Sequence, residues 1–139
     1  MKKTILIVVT AMLLLVNTAN AQAVSNTQTQ QKVTLVKTKL STTEGQQIKK
    51  SVDKYSKLYN VDKTLIHAVI LTESGYNPKA VSCCGAKGLM QLMDSTADEV
   101  ASNIITDTTF ESNMLFDAKT NIKIGTKYLS ELLQKYDGN

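Results

Sequence analysis

The acidic residue whose surroundings best suit proton transfer is Glu73. Ile66, Ile70 and Glu73 fall at positions i, i+4 and i+7 of a segment with helical spacing, so the carboxyl lies on the apolar face of a predicted helix. Gly75 and then Pro78 end that helix, because proline disfavours the helical conformation of the residue before it and cannot continue the helix itself. The sequence therefore places Glu73 in the last helical turn.

This position affects the acidity of the Glu73 carboxyl. The last turn lies at the negative end of the helix dipole, and apolar neighbours exclude water, so both effects favour the neutral form. We expect a raised pKa for Glu73, which is what a general acid needs in order to stay protonated near neutral pH. A solvated carboxylate at a frayed helix end is the alternative that position alone leaves open.

A long ordered series of residues begins at this acid. Its members are Glu73-Ser74, Tyr76-Asn77-Pro78, Ala80, Ser82, Gly85-Ala86, Gly88-Leu89-Met90-Gln91, Met93 and Thr96-Ala97. The series resembles the signature of the soluble lytic transglycosylase family, whose enzymes resemble goose-type lysozymes in fold and cleave the glycan strands of peptidoglycan. The resemblance implies an all-α, lysozyme-like small helical domain.

The resemblance also implies a role for each matching residue. Glu73 would protonate the oxygen of the β-1,4 bond between N-acetylmuramic acid and N-acetylglucosamine, and its carboxylate would then take the proton from the muramoyl C6 hydroxyl. That hydroxyl closes a 1,6-anhydro ring without water, so one carboxylate would suffice where glycosidases usually need two. Ser82 and Gln91 match positions that hydrogen-bond the saccharide, Met93 matches an apolar wall of the cleft, and Ser74 is expected to fix the local turn. No metal or cofactor is implied.

Residues 1–21 have the three parts of a secretory signal peptide. Lys2 and Lys3 form a charged start, residues 5–16 form an apolar run, and a small-x-small cleavage site ends at Ala21. The apolar run is shorter than the about 20 residues of a comfortable membrane span, so an uncleaved anchor is the weaker alternative. We predict cleavage after Ala21 and a periplasmic or secreted protein.

The mature chain is only mildly basic. Of 16 basic and 12 acidic residues in the whole sequence, removal of Lys2 and Lys3 leaves 14 basic against 12 acidic, a net charge of +2. This balance does not favour nucleic acid as a partner. The partner implied by the resemblance is the peptidoglycan glycan strand, and we expect a monomer. A role in cell-wall turnover and a role in local wall opening for a secretion or conjugation machine both stay open.

Residues 22–42 are predicted to form a flexible leader. Gln22–Gln31 has almost no apolar content, which is typical of disordered chain. Lys32–Lys39 alternates loosely, which permits a short strand or extended chain, and we favour extended chain.

The lysozyme-like transglycosylase domain is predicted over residues 43–139. A helix is expected over Thr43–Tyr59, after which Asp62 caps the next helix, and the tight link between them predicts an antiparallel pair. A further helix is expected from Ser95 to about Ala101. The final helix is predicted to be amphipathic, with apolar positions at Ile122, Leu129, Leu132, Leu133 and Tyr136.

Three residues with reactive side chains lie outside this chemistry. We expect His67 to be structural or solvated rather than catalytic, because it lies roughly a third of a turn from the face of Glu73 and no ligand cluster accompanies it. Cys83 and Cys84 depart from the family pattern and suggest no catalytic role. A strained disulfide between neighbours and two free thiols are both open.

The sequence stops where the family normally continues with an Ala-Tyr-Asn-Ala-Gly segment, whose tyrosine lies close to the catalytic acid. We therefore expect a domain that is incomplete at the C-terminus, with low activity, an acid-shifted pH optimum and marginal stability. Two functions remain: an active transglycosylase, or a non-catalytic peptidoglycan-binding protein or truncated pseudo-enzyme remnant.

Overall fold

The computed structural model describes residues 25–104 and 110–136, and their regular structure is helical. The elements are α1 (Ser25–Ser41), α2 (Thr43–Tyr59), α3 (Lys63–Ser74), α4 (Asp94–Ile104), the 3-10 helix η1 (Ser112–Phe116) and α5 (Ala118–Tyr136). The predicted all-α class is confirmed. The chain divides into two compact units, residues 1–35 and 36–139.

The predicted signal peptide lies outside the described residues, so it stays a prediction. None of the helices in the described ranges is both long and apolar enough to cross a membrane.

The extended chain expected over Lys32–Lys39 is wrong, because these residues belong to α1. Val36 and Leu40 lie four residues apart, are half-buried and pack against the core of the second unit. Together with Val33, which is 41% exposed, they form a series at positions i, i+3 and i+7, which is helical spacing. Over Lys32–Lys39 alone, the same apolar residues resemble the loose alternation of extended chain.

The boundaries of α2 and α3 follow from their capping residues. Thr42 Oγ1 accepts a hydrogen bond from the Gly45 amide at 3.0 Å, which starts α2. Asp62 Oδ1 accepts from the amides of Thr64 and Leu65 at 2.6 and 3.3 Å, as the sequence predicts for an N-cap. A hydrogen bond from the Thr64 side chain, and then those from the Thr64 and Leu65 amides, lower the pKa of the Asp62 carboxyl.

The core of the second unit forms chiefly between α2 and α5, the most extensive helix pairing among the described elements. Its fully buried side chains include Val52 of α2 and Ile122 and Ile124 of α5. Ser130 Oγ donates to the Tyr59 carbonyl at 2.8 Å and so joins the end of α2 to α5. Tyr136, predicted on the apolar face of α5, is instead 54% exposed.

Residues 87–92 form a tight turn whose centre is held by one buried side chain, Asn121 of α5. The amide nitrogen of Asn121 donates to the carbonyls of Lys87 and Leu115 at 3.0 and 2.9 Å, and its oxygen accepts from the Met90 amide at 2.8 Å. Gly88 has φ 74°, and a Cβ on Gly88 would overlap the Leu115 carbonyl oxygen and the Asn121 amide nitrogen. Glycine is therefore required here both for its conformation and for lack of space.

Most apolar residues of the run Leu89–Met93 belong to the core. Leu89, Met90 and Leu92 are buried, whereas Met93 is 38% exposed. The backbone is a turn rather than a helix, since Lys87 pairs with Val81 and Leu92 through isolated bridges and α4 begins only at Asp94.

We expect Asn121→Ala to lower the free energy of unfolding by roughly 3 kcal/mol, because the buried Met90 amide and the Leu115 carbonyl lose the partner that Asn121 supplies, while the Lys87 carbonyl keeps the Leu92 amide. Asn103→Ala is the matched control, since Asn103 is exposed and bonds only within α4; its effect should stay within about 0.5 kcal/mol. Urea unfolding followed by circular dichroism measures both. Equal midpoints for the two variants would contradict the role of Asn121.

Candidate active site

Glu73 occupies the last turn of α3, as the sequence predicts. Gly75 ends the helix in the left-handed conformation, with φ 55°, and its amide donates to the Leu71 carbonyl at 3.1 Å. Ile66 and Ile70, on the same face as Glu73, are fully buried.

The Glu73 carboxyl is half-buried and isolated. Among the described residues, no hydrogen bond or ion pair joins it to another group. Burial raises the pKa of Glu73 above its ordinary value of 4.5. A carboxyl with weakened acidity and unused lone pairs is able to transfer a proton to a ligand and to take one back.

Tyr76 and His67 support the chain directly after Glu73. Tyr76 is buried, adopts the uncommon φ of 63°, and shares a hydrogen bond of 2.8 Å with His67 Nδ1. Burial lowers the pKa of His67, so its ring is neutral at pH 7. His67 thus has a structural partner, in keeping with the sequence expectation, and the Tyr76 contact was missed because it joins residues nine apart across a turn.

Lys39 also reaches this region, although it lies upstream of the predicted domain start at residue 43. Its Nζ donates to the Gly75 carbonyl at 2.5 Å, immediately beyond the helix that carries Glu73. A lysine beside the exposed carbonyls of a helix C-terminus is a favourable placement. The sequence did not indicate this contact of Lys39, because its segment was predicted to be extended chain.

Ser82 is half-buried, and its hydroxyl organises the loop that contains it. Ser82 Oγ accepts from the amides of Cys84 and Ala86 at 3.3 and 3.0 Å, and the Ser82 amide donates to the Ala86 carbonyl at 2.9 Å. The oxygen is therefore an internal acceptor, while its proton is not donated to any group in the described part of the chain.

Gln91 is held against the same loop. Its Nε2 donates to the carbonyls of Ala80 and Gly88 at 3.2 and 3.0 Å, and its backbone has φ 47°. Its side-chain oxygen accepts no hydrogen bond from the residues that the structure describes. Ser82, Gln91 and the half-exposed Met93 thus belong to two turns joined through Ala80 and Lys87, and no hydrogen bond in the described part of the chain links them to Glu73. Their predicted roles stay predictions.

Two cavities lie in the second unit, and Glu73 lines neither. One of about 290 Å³ is bordered by Lys39, Glu44, Tyr76 and Asn77, next to the end of α3. The other, about 690 Å³, lies between α2 and α5 and is bordered by Lys54, Tyr55 and Lys123. Within the described ranges, no group of three or more His, Cys, Asp or Glu side chains is placed to hold a metal ion.

Residues 50–139 match the transglycosylase SLT domain family. The chain belongs to this family. Its fold is similar to that of the 70 kDa soluble lytic transglycosylase from Escherichia coli, at 32% identity and a TM-score of 0.61, and to the same enzyme in complex with bulgecin A, with the same values. The lytic transglycosylase Slt from Pseudomonas aeruginosa, solved as an inactive mutant with a glutamate-to-glutamine change, gives 27% identity and a TM-score of 0.59.

Each of these comparisons covers 66% of this chain and 15% of the other chain, so the present chain matches a small part of those proteins. The resemblance read from the sequence and the all-α, lysozyme-like fold are both confirmed.

The raised pKa of Glu73 predicts a pH-dependent effect on stability. The folded protein binds the Glu73 proton more tightly than the unfolded chain, so its stability decreases as pH rises from 4.5 through the raised pKa. Glu73→Gln removes this titration, so the melting temperature of the variant relative to wild type should increase between about pH 4 and about pH 7. Differential scanning fluorimetry of both proteins across this pH range measures the difference in melting temperature.

Glu99→Gln, on the exposed face of α4, is the control, and its melting temperature relative to wild type should change little across the same range. If the difference in melting temperature between Glu73→Gln and wild type did not depend on pH, the Glu73 carboxyl would be fully hydrated in the folded protein.

Proposed function

We propose that this protein is a lytic transglycosylase that cleaves the β-1,4 bond between N-acetylmuramic acid and N-acetylglucosamine in peptidoglycan and leaves a 1,6-anhydro product. The proposal rests on the Glu73 carboxyl, which is half-buried at the end of α3, has no ion-pair partner among residues 25–104 and 110–136, and has a raised pKa. Membership of the transglycosylase SLT domain family supports the substrate class.

One relative supports the choice of a glutamate. The Pseudomonas aeruginosa enzyme is an inactive mutant with a single glutamate-to-glutamine change, a replacement that keeps the shape of the side chain and removes its transferable proton. In the present chain, burial raises the pKa of Glu73, which lies in the last turn of α3. We infer that Glu73 is the residue on which turnover depends.

In the first step, protonated Glu73 donates its proton to the glycosidic oxygen as the bond to the muramoyl C1 breaks. Burial favours the protonated carboxyl, because the low-dielectric surroundings disfavour the charged form. In the second step, the carboxylate takes the proton from the C6 hydroxyl, whose oxygen attacks C1 and closes the anhydro ring. The nucleophile comes from the substrate, so a second carboxylate is not needed.

The remaining site residues would bind and orient the sugar. Ser82 can donate its hydroxyl proton to a sugar oxygen while its lone pairs hold the loop. Gln91 can accept through its side-chain oxygen, because its amide nitrogen is used by the Ala80 and Gly88 carbonyls. Met93, 38% exposed, would cover an apolar face of the saccharide ring. We also propose that the protein acts as a monomer in the periplasm or after secretion.

A second function, peptidoglycan binding without turnover, is favoured by one observation. No side chain in the described residues orients the Glu73 carboxyl by a hydrogen bond. A protein whose acid has no orienting partner can still bind the glycan through the surrounding residues, while the acid transfers protons slowly. The two functions are separated by the products formed, because only turnover releases anhydro sugars.

We expect Glu73→Gln to abolish release of 1,6-anhydromuropeptides, a loss of at least about 10²-fold, while glycan binding and folding persist. Mass spectrometry of digested sacculi measures release, and a sacculus pull-down measures binding. Glu99→Gln should behave as wild type. Release at the wild-type rate by Glu73→Gln would show that the acid is another residue, and binding with no release by the wild type would favour the second function.

The pH dependence of turnover should follow the same carboxyl. The general acid must be protonated, so kcat/KM should fall as pH rises through the pKa of Glu73 in the free enzyme, and that fall should lie above pH 4.5. Initial rates of muropeptide release across pH measure it. A descending limb centred below pH 4.5 would contradict the assignment.

We expect Met93→Ala to raise KM by roughly tenfold with little change in kcat, because it removes apolar contact made equally in the ground and transition states. Leu58→Ala is the control, since Leu58 is 60% exposed and borders the other cavity. Steady-state release from soluble glycan chains measures both. A KM for Met93→Ala equal to that of the control would remove Met93 from the cleft.

A further inference from the structure

The two cysteines lie side by side at the tip of the Ser82 loop. Cys83 Sγ and Cys84 Sγ are 3.7 Å apart, and both residues are exposed and free. The Gly85 amide donates to the Ser82 carbonyl at 3.0 Å, which makes Cys83 and Cys84 the two central residues of a β-turn. Both thiols are therefore accessible to a reagent in solution without movement of a helix.

We propose that Cys83 and Cys84 are a thiol–disulfide exchange site, at which a disulfide-containing oxidant converts the two thiols to a vicinal disulfide and so alters the turn that holds Ser82. The exchange chemistry stands on the geometry of the thiols. Its effect on turnover rests on the proposed function of this protein.

The two sulfurs need only a short movement to bond. A disulfide has an S–S length of about 2.05 Å, so the present separation of 3.7 Å must shrink by about 1.6 Å. Rotation of the two exposed side chains supplies most of this, because no other residue covers them. The ring that results contains the Cys83–Cys84 peptide bond and is strained, and strained disulfides are the readily reduced ones.

Closure of this ring acts directly on Ser82. The peptide bond inside the ring carries the Cys84 amide, which donates to Ser82 Oγ at 3.3 Å. Distortion of that peptide weakens this hydrogen bond and disturbs its neighbour, the Ala86 amide at 3.0 Å from the same oxygen. Ser82 is a predicted saccharide contact, so the redox state of the pair would be transmitted to the cleft through one hydroxyl group.

The exchange is balanced by the oxidant. A Cys83 thiolate attacks one sulfur of a disulfide RSSR, forms a Cys83–S–S–R bond and releases RS⁻. Cys84 then loses its proton to solvent, its thiolate attacks Cys83 Sγ, and the second RS⁻ leaves. The two thiol protons end on the two RS⁻ groups, so one RSSR is reduced to two RSH while the cysteine pair is oxidised.

The contact between the thiols affects the second step. The hydrogen bond with Cys83, and then the negative charge of a Cys83 thiolate, raise the pKa of the Cys84 thiol. Once Cys83 has formed the mixed disulfide, that negative charge is gone, and Cys84, 3.7 Å away, is placed to act as the resolving thiol.

Equilibration of the full chain with oxidised glutathione, followed by iodoacetamide and mass spectrometry, tests the site. We expect the wild type to lose the mass of two hydrogen atoms, to take up no alkyl group, and to regain two alkylatable thiols after dithiothreitol. Cys84→Ser should trap glutathione on Cys83, and Cys83→Ser should trap it on Cys84, because neither variant retains a resolving thiol. Two alkylatable thiols in the treated wild type, a stable glutathione adduct on it, or only disulfide-linked dimers would overturn the proposal.

The effect of the Cys83–Cys84 disulfide on the Ser82 loop is measured separately. The ¹⁵N-labelled amide signals of Cys84 and Ala86 should move on oxidation of the wild type and stay fixed in the double variant Cys83→Ser, Cys84→Ser. Turnover should change roughly two- to tenfold in the wild type only, the worth of about one hydrogen bond. Unmoved amide signals in a protein that has formed the disulfide would overturn the coupling. Absence of turnover in both redox forms, with the disulfide formed, would count against the proposed function and not against the exchange site.

Discussion

The buried amide of Asn121 is the interaction on which the arrangement of this domain depends. One side chain of α5 bonds three backbone groups, the Lys87 carbonyl, the Leu115 carbonyl and the Met90 amide. It therefore fixes the Gly88 turn, and with it Gln91 and Met93, to the helix that forms the core with α2. The absence of a side chain at Gly88 makes this approach possible, because any Cβ would occupy the space of the amide.

Glu73 shows the opposite condition, because it is half-buried and has no hydrogen-bond or ion-pair partner in the described part of the chain. Ile66 and Ile70 lie on the same face of α3 and are fully buried, and Gly75 ends the helix two residues after the acid. An ion pair would have lowered its pKa and committed the carboxylate to a structural role. The same domain shows that contrast in Asp94, whose pKa is lowered by the Lys87 ammonium and the Ser112 hydroxyl as it ties α4 to η1.

The sequence predicted what local signals determine. Asp62 and Gly75 mark the two ends of α3 because capping and left-handed termination act within a few residues. The contacts of Asn121 with Met90 and of Lys39 with Gly75 were missed because they join residues 31 and 36 positions apart, and no periodicity encodes such distances. The sequence predicted only a hydrogen bond from the Ser82 hydroxyl to the saccharide. In the fold, the same oxygen also accepts hydrogen bonds from the Cys84 and Ala86 amides, which depend on the path of the backbone through the loop.

The contact from Lys39 to Gly75 separates two definitions of this domain. Residues 50–139 are the part that matches the transglycosylase SLT domain family, but the compact unit begins at Val36. Gly45 lies so close to the Lys39 carbonyl that a methyl group there would overlap it, so the two segments have adapted to each other. A fragment that begins at residue 50 would therefore lack Lys39, which bonds the residue after α3, and would also lack the first turns of α2 with the buried side chain of Ile48.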